Sequence, residues 1–258
     1  MNKKTLRFYS WITLATFTPV GGVFAAPAGQ ITQSSGDVTL STPQTTPKSA
    51  GKGDPVESGQ TVTVGDSGRA MLQFQDGQTI ALKSNSIFKV DSYKYDQAAP
   101  EKGESFFSLL QGGLRAITGL IGSRNRAGWK LATPTATMGI RGTDFIAAID
   151  QGLYLKVNSG AVSTTNSSGT TVFTAGQTGF VATGTVAGTV IPASSVPAGA
   201  FGDLDAVGLG GVSGPATGST GAAGGALFGL PTGVVIGVGI VAGVAAAAVG
   251  AGNSSTHH

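Results

Sequence analysis

The chain has 258 residues, of which 42 are glycine, only 11% are charged and none is cysteine. Without cysteine there is no disulfide, thiolate metal site, cysteine nucleophile or lipid-accepting cysteine, so stability must come from packing. The net charge of +3 is carried by Lys3, Lys4 and Arg7 at the start of the chain; the remainder is balanced and offers no footprint for nucleic acid, whose binding needs clustered Lys and Arg.

Those three cations open what reads as a secretory signal, residues 1–25. A mostly apolar stretch from Phe8 to Phe24 follows them, and Val23-Phe24-Ala25 supplies small residues at the −3 and −1 positions of a peptidase site. An uncleaved membrane anchor is the competing reading, but Pro19-Val20-Gly21-Gly22 interrupts the apolar run before a span of about 20 residues is complete. Either way the body of the protein is expected outside the cytoplasm, in the periplasm or cell envelope.

Residues 26–35 read as an N-terminal extension, and 36–190 as a domain of short strands. The stretch to Gln60 is rich in Pro, Thr, Ser and Gly, with one strand candidate at Gly36-Asp37-Val38-Thr39-Leu40. Further on, Phe88 and Val90 alternate with Lys89 and Asp91, and Leu153, Leu155 and Val157 with Tyr154, Lys156 and Asn158. That is the period of two of a half-buried strand. Gly, Asn, Asp and Ser punctuate these runs at intervals of roughly 8 to 12 residues, and no long period of 3.6 separates them. The fold expected is all-β, roll-like or solenoid-like.

One turn invites a parity check. A two-residue Asp76-Gly77 hairpin would put Leu72 and Phe74 on the opposite face from Ile80 and Leu82. A connection of Asp76 to Gln78 instead sets Phe74 opposite Ile80 and Leu72 opposite Leu82, all on one face, and is preferred. The most apolar interior stretch, Ser105-Phe106-Phe107-Ser108-Leu109-Leu110 through Ile121, reads as core strands or a short packed helix.

Residues 191–229 shift to Gly, Ala, Ser, Pro and Val and read as a flexible tether. Asp203-Leu204-Asp205 has the look of a calcium-binding glycine–aspartate repeat, but it occurs once with too few oxygen ligands, and linker is the better reading. Residues 230–251 are charge-free and long enough to cross a bilayer core of about 30 Å. Their glycine spacing also suits helix–helix approach, so the segment is expected to be a hydrophobic helix that enters a membrane or self-associates. Residues 252–258 are a tail holding both histidines, His257 and His258.

The most specific segment is Ala132-Thr133-Pro134-Thr135-Ala136-Thr137-Met138-Gly139-Ile140-Arg141-Gly142-Thr143-Asp144-Phe145. It resembles the central signature of the FecR (iron-dicitrate sensor) family, a T-P-x-A-x-x-G-x-R-G-T-x-F run that precedes a strand. The flanks resemble the family in the same order: Gly65 to Ala70, Leu72 to Gly77, Leu110 to Leu114 and Thr174 to Gln177. The resemblance implies a non-catalytic extracytoplasmic domain that contacts other proteins. Sensors of this family relay a signal from an outer-membrane receptor to a cytoplasmic sigma factor. Only seven residues precede the apolar run here, so a cytoplasmic anti-sigma segment is not expected.

The residues singled out are Thr133, Pro134, Gly139, Arg141, Gly142, Thr143, Asp144 and Phe145 as a structural motif, with Gly139 and Gly142 serving a tight corner. Asp144 is the nearest carboxylate to Arg141, and the plainer reading is that the two brace that corner. Arg124-Asn125-Arg126 beside Trp129 reads as a solvated loop, and it is also the best exposed contact patch on offer. No catalytic, cofactor or metal residue is assigned: no His lies in the β region, so no Ser-His arrangement can be built there. The expected partner is an envelope protein or glycan. The rival class is a glycan-cleaving roll, for which Asp76, Glu101, Glu104, Asp144 and Asp150 would have to converge in one groove. A self-assembling structural protein is a third.

Overall fold

In the computed structural model, the structure describes residues 27–207. The expected signal (1–25), the hydrophobic segment (230–251), the tail (252–258) and most of the tether lie outside the described residues. Among those described, no helix is long and apolar enough to cross a membrane.

The chain is all-β. Fifteen strands follow one another: β1 (Gly29–Ser35), β2 (Val38–Ser41), β3 (Lys48–Ser49), β4 (Pro55–Val56), β5 (Thr61–Val64), β6 (Arg69–Phe74), β7 (Thr79–Leu82), β8 (Ser86–Lys94), β9 (Glu104–Ile117), β10 (Trp129–Ala132), β11 (Thr137–Ile149), β12 (Leu153–Asn166), β13 (Gly169–Thr174), β14 (Thr178–Val181) and β15 (Thr189–Ile191). The helical pieces are short, the longest being α1 (Leu120–Arg124).

Three strands organise the rest, because the halves of β9, β11 and β12 belong to different layers. The second halves of β9 and β11 and the first half of β12 lie side by side, flanked by β4-β1-β6-β7 and by β14-β15. The other halves take different neighbours. β8 leads on to β5, β2 and β3, β10 wedges between β9 and β11, and β13 pairs with β12. Every pairing is antiparallel except β9 with β10, where Trp129 lies beside Ser105.

Each long strand turns from one layer to the other at a glycine with positive φ: Gly112 (78°), Gly142 (56°) and Gly160 (77°). The bends of β11 and β12 are in register, since the β11–β12 ladder breaks between Arg141 opposite Ala161 and Asp144 opposite Ser159. A side chain at Gly160 would run into the backbone carbonyls of Arg141 and Gly142. Gly142 has open space around it and needs only the left-handed backbone.

The core lies between the layers. Ile31, Leu72, Phe74, Ile80, Leu82, Phe145, Leu153 and Leu155 come from one side, and Val38, Val62, Val64, Phe88, Val90, Phe107 and Leu109 from the other. The alternation expected for residues 88–91 and 153–158 is present. Between β6 and β7, Leu72, Phe74, Ile80 and Leu82 share the inner face as expected, but the register differs. Leu72 faces Ile80 and Ala70 faces Leu82, with Gln75 to Gly77 as the connection. The shift is by two residues, so parity survives while Asp76 turns inward.

Paired and packed residues are also present on either side of residues 36–190. β1 pairs with β6 from Gly29 opposite Phe74 to Ser35 opposite Arg69. At the other end Leu204 is buried against Ala81 and Ile146.

Candidate functional site

The signature begins where β10 ends. Thr133 closes the turn into β11: its Oγ1 donates to the Ala136 carbonyl (2.7 Å) and accepts from the Ala136 N–H (3.1 Å), with Pro134 exposed at the tip. Along β11, Gly139 lets Ser163 approach, since a Cβ there would sit 2.9 Å from the Ser163 Oγ. After the Gly142 bend, Thr143 is buried and tied to Thr118, whose Oγ1 accepts from the Thr143 N–H at 3.0 Å. Phe145 is fully buried and meets Trp129 edge to face, the ring centroids 5.9 Å apart.

Asp144 does not pair with Arg141. Its carboxylate receives Arg115 in a two-pronged contact, Nε to Oδ1 at 3.0 Å and Nη2 to Oδ2 at 2.8 Å, with Asn158 Nδ2 donating to Oδ1 at 3.2 Å. This bond to Asp144 holds the Arg115 guanidinium above its ordinary pKa, against the effect of burial. The geometry explains the exchange: Asp144 lies opposite Ile117 on the β9–β11 ladder, two residues from Arg115, whereas the Gly142 bend turns Arg141 onto the other layer. Arg141 is exposed and makes no ion pair among the described residues.

The contact patch expected from sequence is only partly exposed. Arg124 and Arg126 lie on the surface, but Trp129 is a core residue, 2% exposed, with its indole N–H on the Gln78 Oε1. The aromatic chain Tyr93–Phe74–Phe107–Trp129–Phe145 crosses the core between the layers. What stands in its place at the surface is Lys130, 5.2 Å above the Phe106 ring. Continuing the β10–β11 register past Leu131 opposite Met138 sets Lys130 beside Gly139. Two steps further on the same register, Gly128, the last residue of the 3-10 turn carrying Arg126, would fall beside Arg141. From Ser105 to Thr143 the chain has cations at 115, 124, 126, 130 and 141 and no acid. Apart from Arg115, each of these cations is exposed.

The carboxylates considered for glycan cleavage have other employment. Glu104 pairs with Lys94 at 2.9 Å, Asp144 with Arg115, and Glu101 and Asp150 are exposed. Asp76 is buried at 2% exposure and caps the start of α1: its Oδ2 accepts from the Ile121 N–H (3.2 Å), and its Oδ1 from the Gln78 N–H (3.2 Å) and the Tyr93 hydroxyl (3.1 Å). It thus joins the β6–β7 turn, β8 and α1. Sequence reasoning placed it in a turn and missed this role, for which the one available signal was Asp-Gly preceding a buried Gln78.

Burial raises the Asp76 pKa above 3.8, the donated hydrogen bonds opposing it only in part. The folded state therefore binds this proton more tightly than the unfolded chain does. The contribution of Asp76 to stability is greatest below the unfolded value and falls as pH rises through the folded one. Relative to Asp76→Asn, the native protein should gain stability as pH is lowered from 7 toward 4, the reverse of an ion-paired carboxylate. Urea denaturation of both at the two pH values checks this.

Comparison with curated proteins found no match. Two crystal structures of a candidate anti-sigma factor from Parabacteroides distasonis ATCC 8503 are similar at 12% identity, with TM-scores of 0.38 and 0.39. Each comparison covers 51% of this chain and 57% of that one, so this chain spans little more than half of that protein's length. The family model described as FecR protein matches residues 60–163. That span holds the signature, the bends of all three long strands and the exposed cations, and it is the part of this chain that is similar to the FecR family.

Proposed function

We propose that the protein is an exported, non-catalytic contact module of the bacterial envelope, serving signalling or assembly, and that it meets an acidic surface of a protein partner through Arg124, Arg126, Lys130 and Arg141. One observation carries the reading. Thr133, Thr143, Asp144 and Phe145 of the signature are engaged in turns, hydrogen bonds and core packing, while its arginine is exposed and unpaired among the described residues. An exposed arginine held on a rigid strand is suited to recognise carboxylates. The FecR match supports a regulatory rather than catalytic role, and the basic, apolar stretch of residues 1–25 supports export.

Membrane attachment or self-association through residues 230–251 belongs to the same proposal, resting on their uncharged composition. A second reading, recognition of an envelope glycan, is favoured by a surface groove of about 600 Å³ lined by Ser41, Thr42, Thr45, Asp54, Glu57 and Gln60 among others.

In-cell crosslinking followed by purification tests the first reading. Arg141→Glu should abolish recovery of the crosslinked partner while leaving the melting temperature within a degree or two, since exposed changes cost little. Undiminished recovery from Arg141→Glu would rule this surface out, and sedimentation with purified envelope glycan through the 41–60 groove would favour the second.

A further inference from the structure

The outer face of the β7–β9–β11 layer is covered by residues 197–207, which sequence reading assigned to a tether. No strand pairing holds them there. Among the described residues, the backbone hydrogen bonds of this strap are its own turns, Ala200 to Pro197, Gly202 to Gly199, Leu204 to Phe201 and Ala206 to Asp203. Side chains do the docking. Leu204 is buried against Ala81 and Ile146, with Met71 and Ile117 packed around them. Asp203 pairs with Arg69, and Asp205 with Lys156 at 2.7 Å. Arg115 Nη1 donates to the carbonyl of Val207 at 2.8 Å and to those of Leu204 and Asp205 at 3.3 Å, and Lys83 Nζ to those of Gly199 and Ala200.

This is the anatomy of a peptide site rather than of a strand edge: an apolar centre that takes one leucine, and a rim of cations that takes the carboxylates on either side. The rim is larger than its occupant needs. Arg115 is already paired with Asp144, which leaves Arg69, Lys83 and Lys156 to face two strap carboxylates, and among the described residues Lys83 meets only carbonyl oxygens. Both strap ion pairs are partly exposed to solvent, with side-chain exposures of 46% and 38% for Arg69 and Asp203 and 37% and 47% for Lys156 and Asp205. Such pairs are weak and salt-sensitive. A segment held by Leu204 with Phe201 and Val207 beside it, by two ion pairs and by hydrogen bonds from Arg115 and Lys83, but by no strand ladder among the described residues, opens more readily than the sheet beneath it.

We propose that this face is a docking site for a turn-forming protein segment in which carboxylates flank a leucine, and that residues 197–207 are its displaceable occupant in cis. A partner segment with one more carboxylate, placed to reach Lys83, would compete with the strap by mass action. The site is separate from the surface around Arg141 and does not depend on it.

The test uses the full chain and a fluorescent peptide of residues 197–207, Pro-Ala-Gly-Ala-Phe-Gly-Asp-Leu-Asp-Ala-Val. The strap is released by Asp203→Asn, Leu204→Ser and Asp205→Asn together. The peptide should bind the released chain at least about tenfold tighter than the native chain, whose site is filled. Lys156→Ala or Arg69→Ala in the released background should each weaken binding by about two- to fivefold. Arg141→Glu should leave it unchanged, so this inference and the proposed function fail separately. Equal binding to native and released chains, or none to a released chain that still melts cooperatively, would overturn the proposal. So would a released chain that runs as a dimer and excludes the peptide, since the occupant would then be a second copy. Should the triple variant not fold, Asp203→Asn with Asp205→Asn decides by the same readout, a gain of about threefold or more being expected.

Discussion

Gly160→Ala is expected to cost about 3 kcal/mol or more, and Gly142→Ala only about 1 to 2 kcal/mol, although the two residues face each other across one bend. Both have positive φ, at 77° and 56°, where an L side chain pays a conformational penalty. At Gly142 that is the whole cost, because nothing lies within 4 Å of the added carbon. At Gly160 the carbon meets the carbonyl oxygens of Gly142 and Arg141, and the Arg141 oxygen, 2.7 Å away, is backbone that cannot swing aside. Relief would require β11 and β12 to part at the point where both change layers. Against a total stability of about 5 to 15 kcal/mol, the first variant is near the limit of folding and the second is not. Urea midpoints of the two variants check the order; equal losses would mean that the bends are not held in register as described.

Trp129→Ala is expected to cost about 3 to 5 kcal/mol, the range for emptying a large aromatic site in a core. Trp129 is 2% exposed and touches Phe107 from one layer and Phe145 from the other, so its loss opens the contact between them. It also strips Gln78, which is wholly buried, of the indole donor to its Oε1 while the Nε2 already lacks a partner. A second unsatisfied polar atom adds to the cavity cost. Trp129→Phe should recover part of the packing and none of the hydrogen bond, giving an intermediate melting temperature. If Trp129→Ala instead left stability unchanged and weakened partner recovery, the tryptophan would be a contact residue after all.

The signature and the short strands were legible because their signals are local. Alternation placed Phe88, Val90, Leu153 and Leu155 inside, and the Gly and Thr residues around Arg141 announced a corner. Features set by chain-distant neighbours were not legible. β1 contributes one deeply buried strand residue of bulk, Ile31, in an otherwise polar run, and becomes a strand only because β6 supplies its ladder. The partner of Asp144 could not be read from spacing: Arg141 is three residues away in sequence but across the bend, while Arg115 is brought close by the β9–β11 pairing. Asp203-Leu204-Asp205 has the composition of a linker, and its docking depends on cations at 69 and 156 that no local pattern connects to it. Trp129 looked like part of a loop because Arg124 and Arg126 precede it. The β10 strand that buries it is four residues long and has little pattern to show.

The division of labour within the signature is the center of the proposed function: Gly142, Thr143 and Asp144 are engaged at the bend, and Arg141 is left exposed. Site-specific photo-crosslinking in cells tests this most directly, with the crosslinking amino acid placed in turn at Arg141, Lys130 and, at the far end of β11 and β12, Gln151, which is also exposed. Adducts of one common mass at Arg141 and Lys130 with none at Gln151 are the predicted result. Adducts at Gln151 alone, or no adduct at Arg141 from a chain that remains folded, would contradict the account.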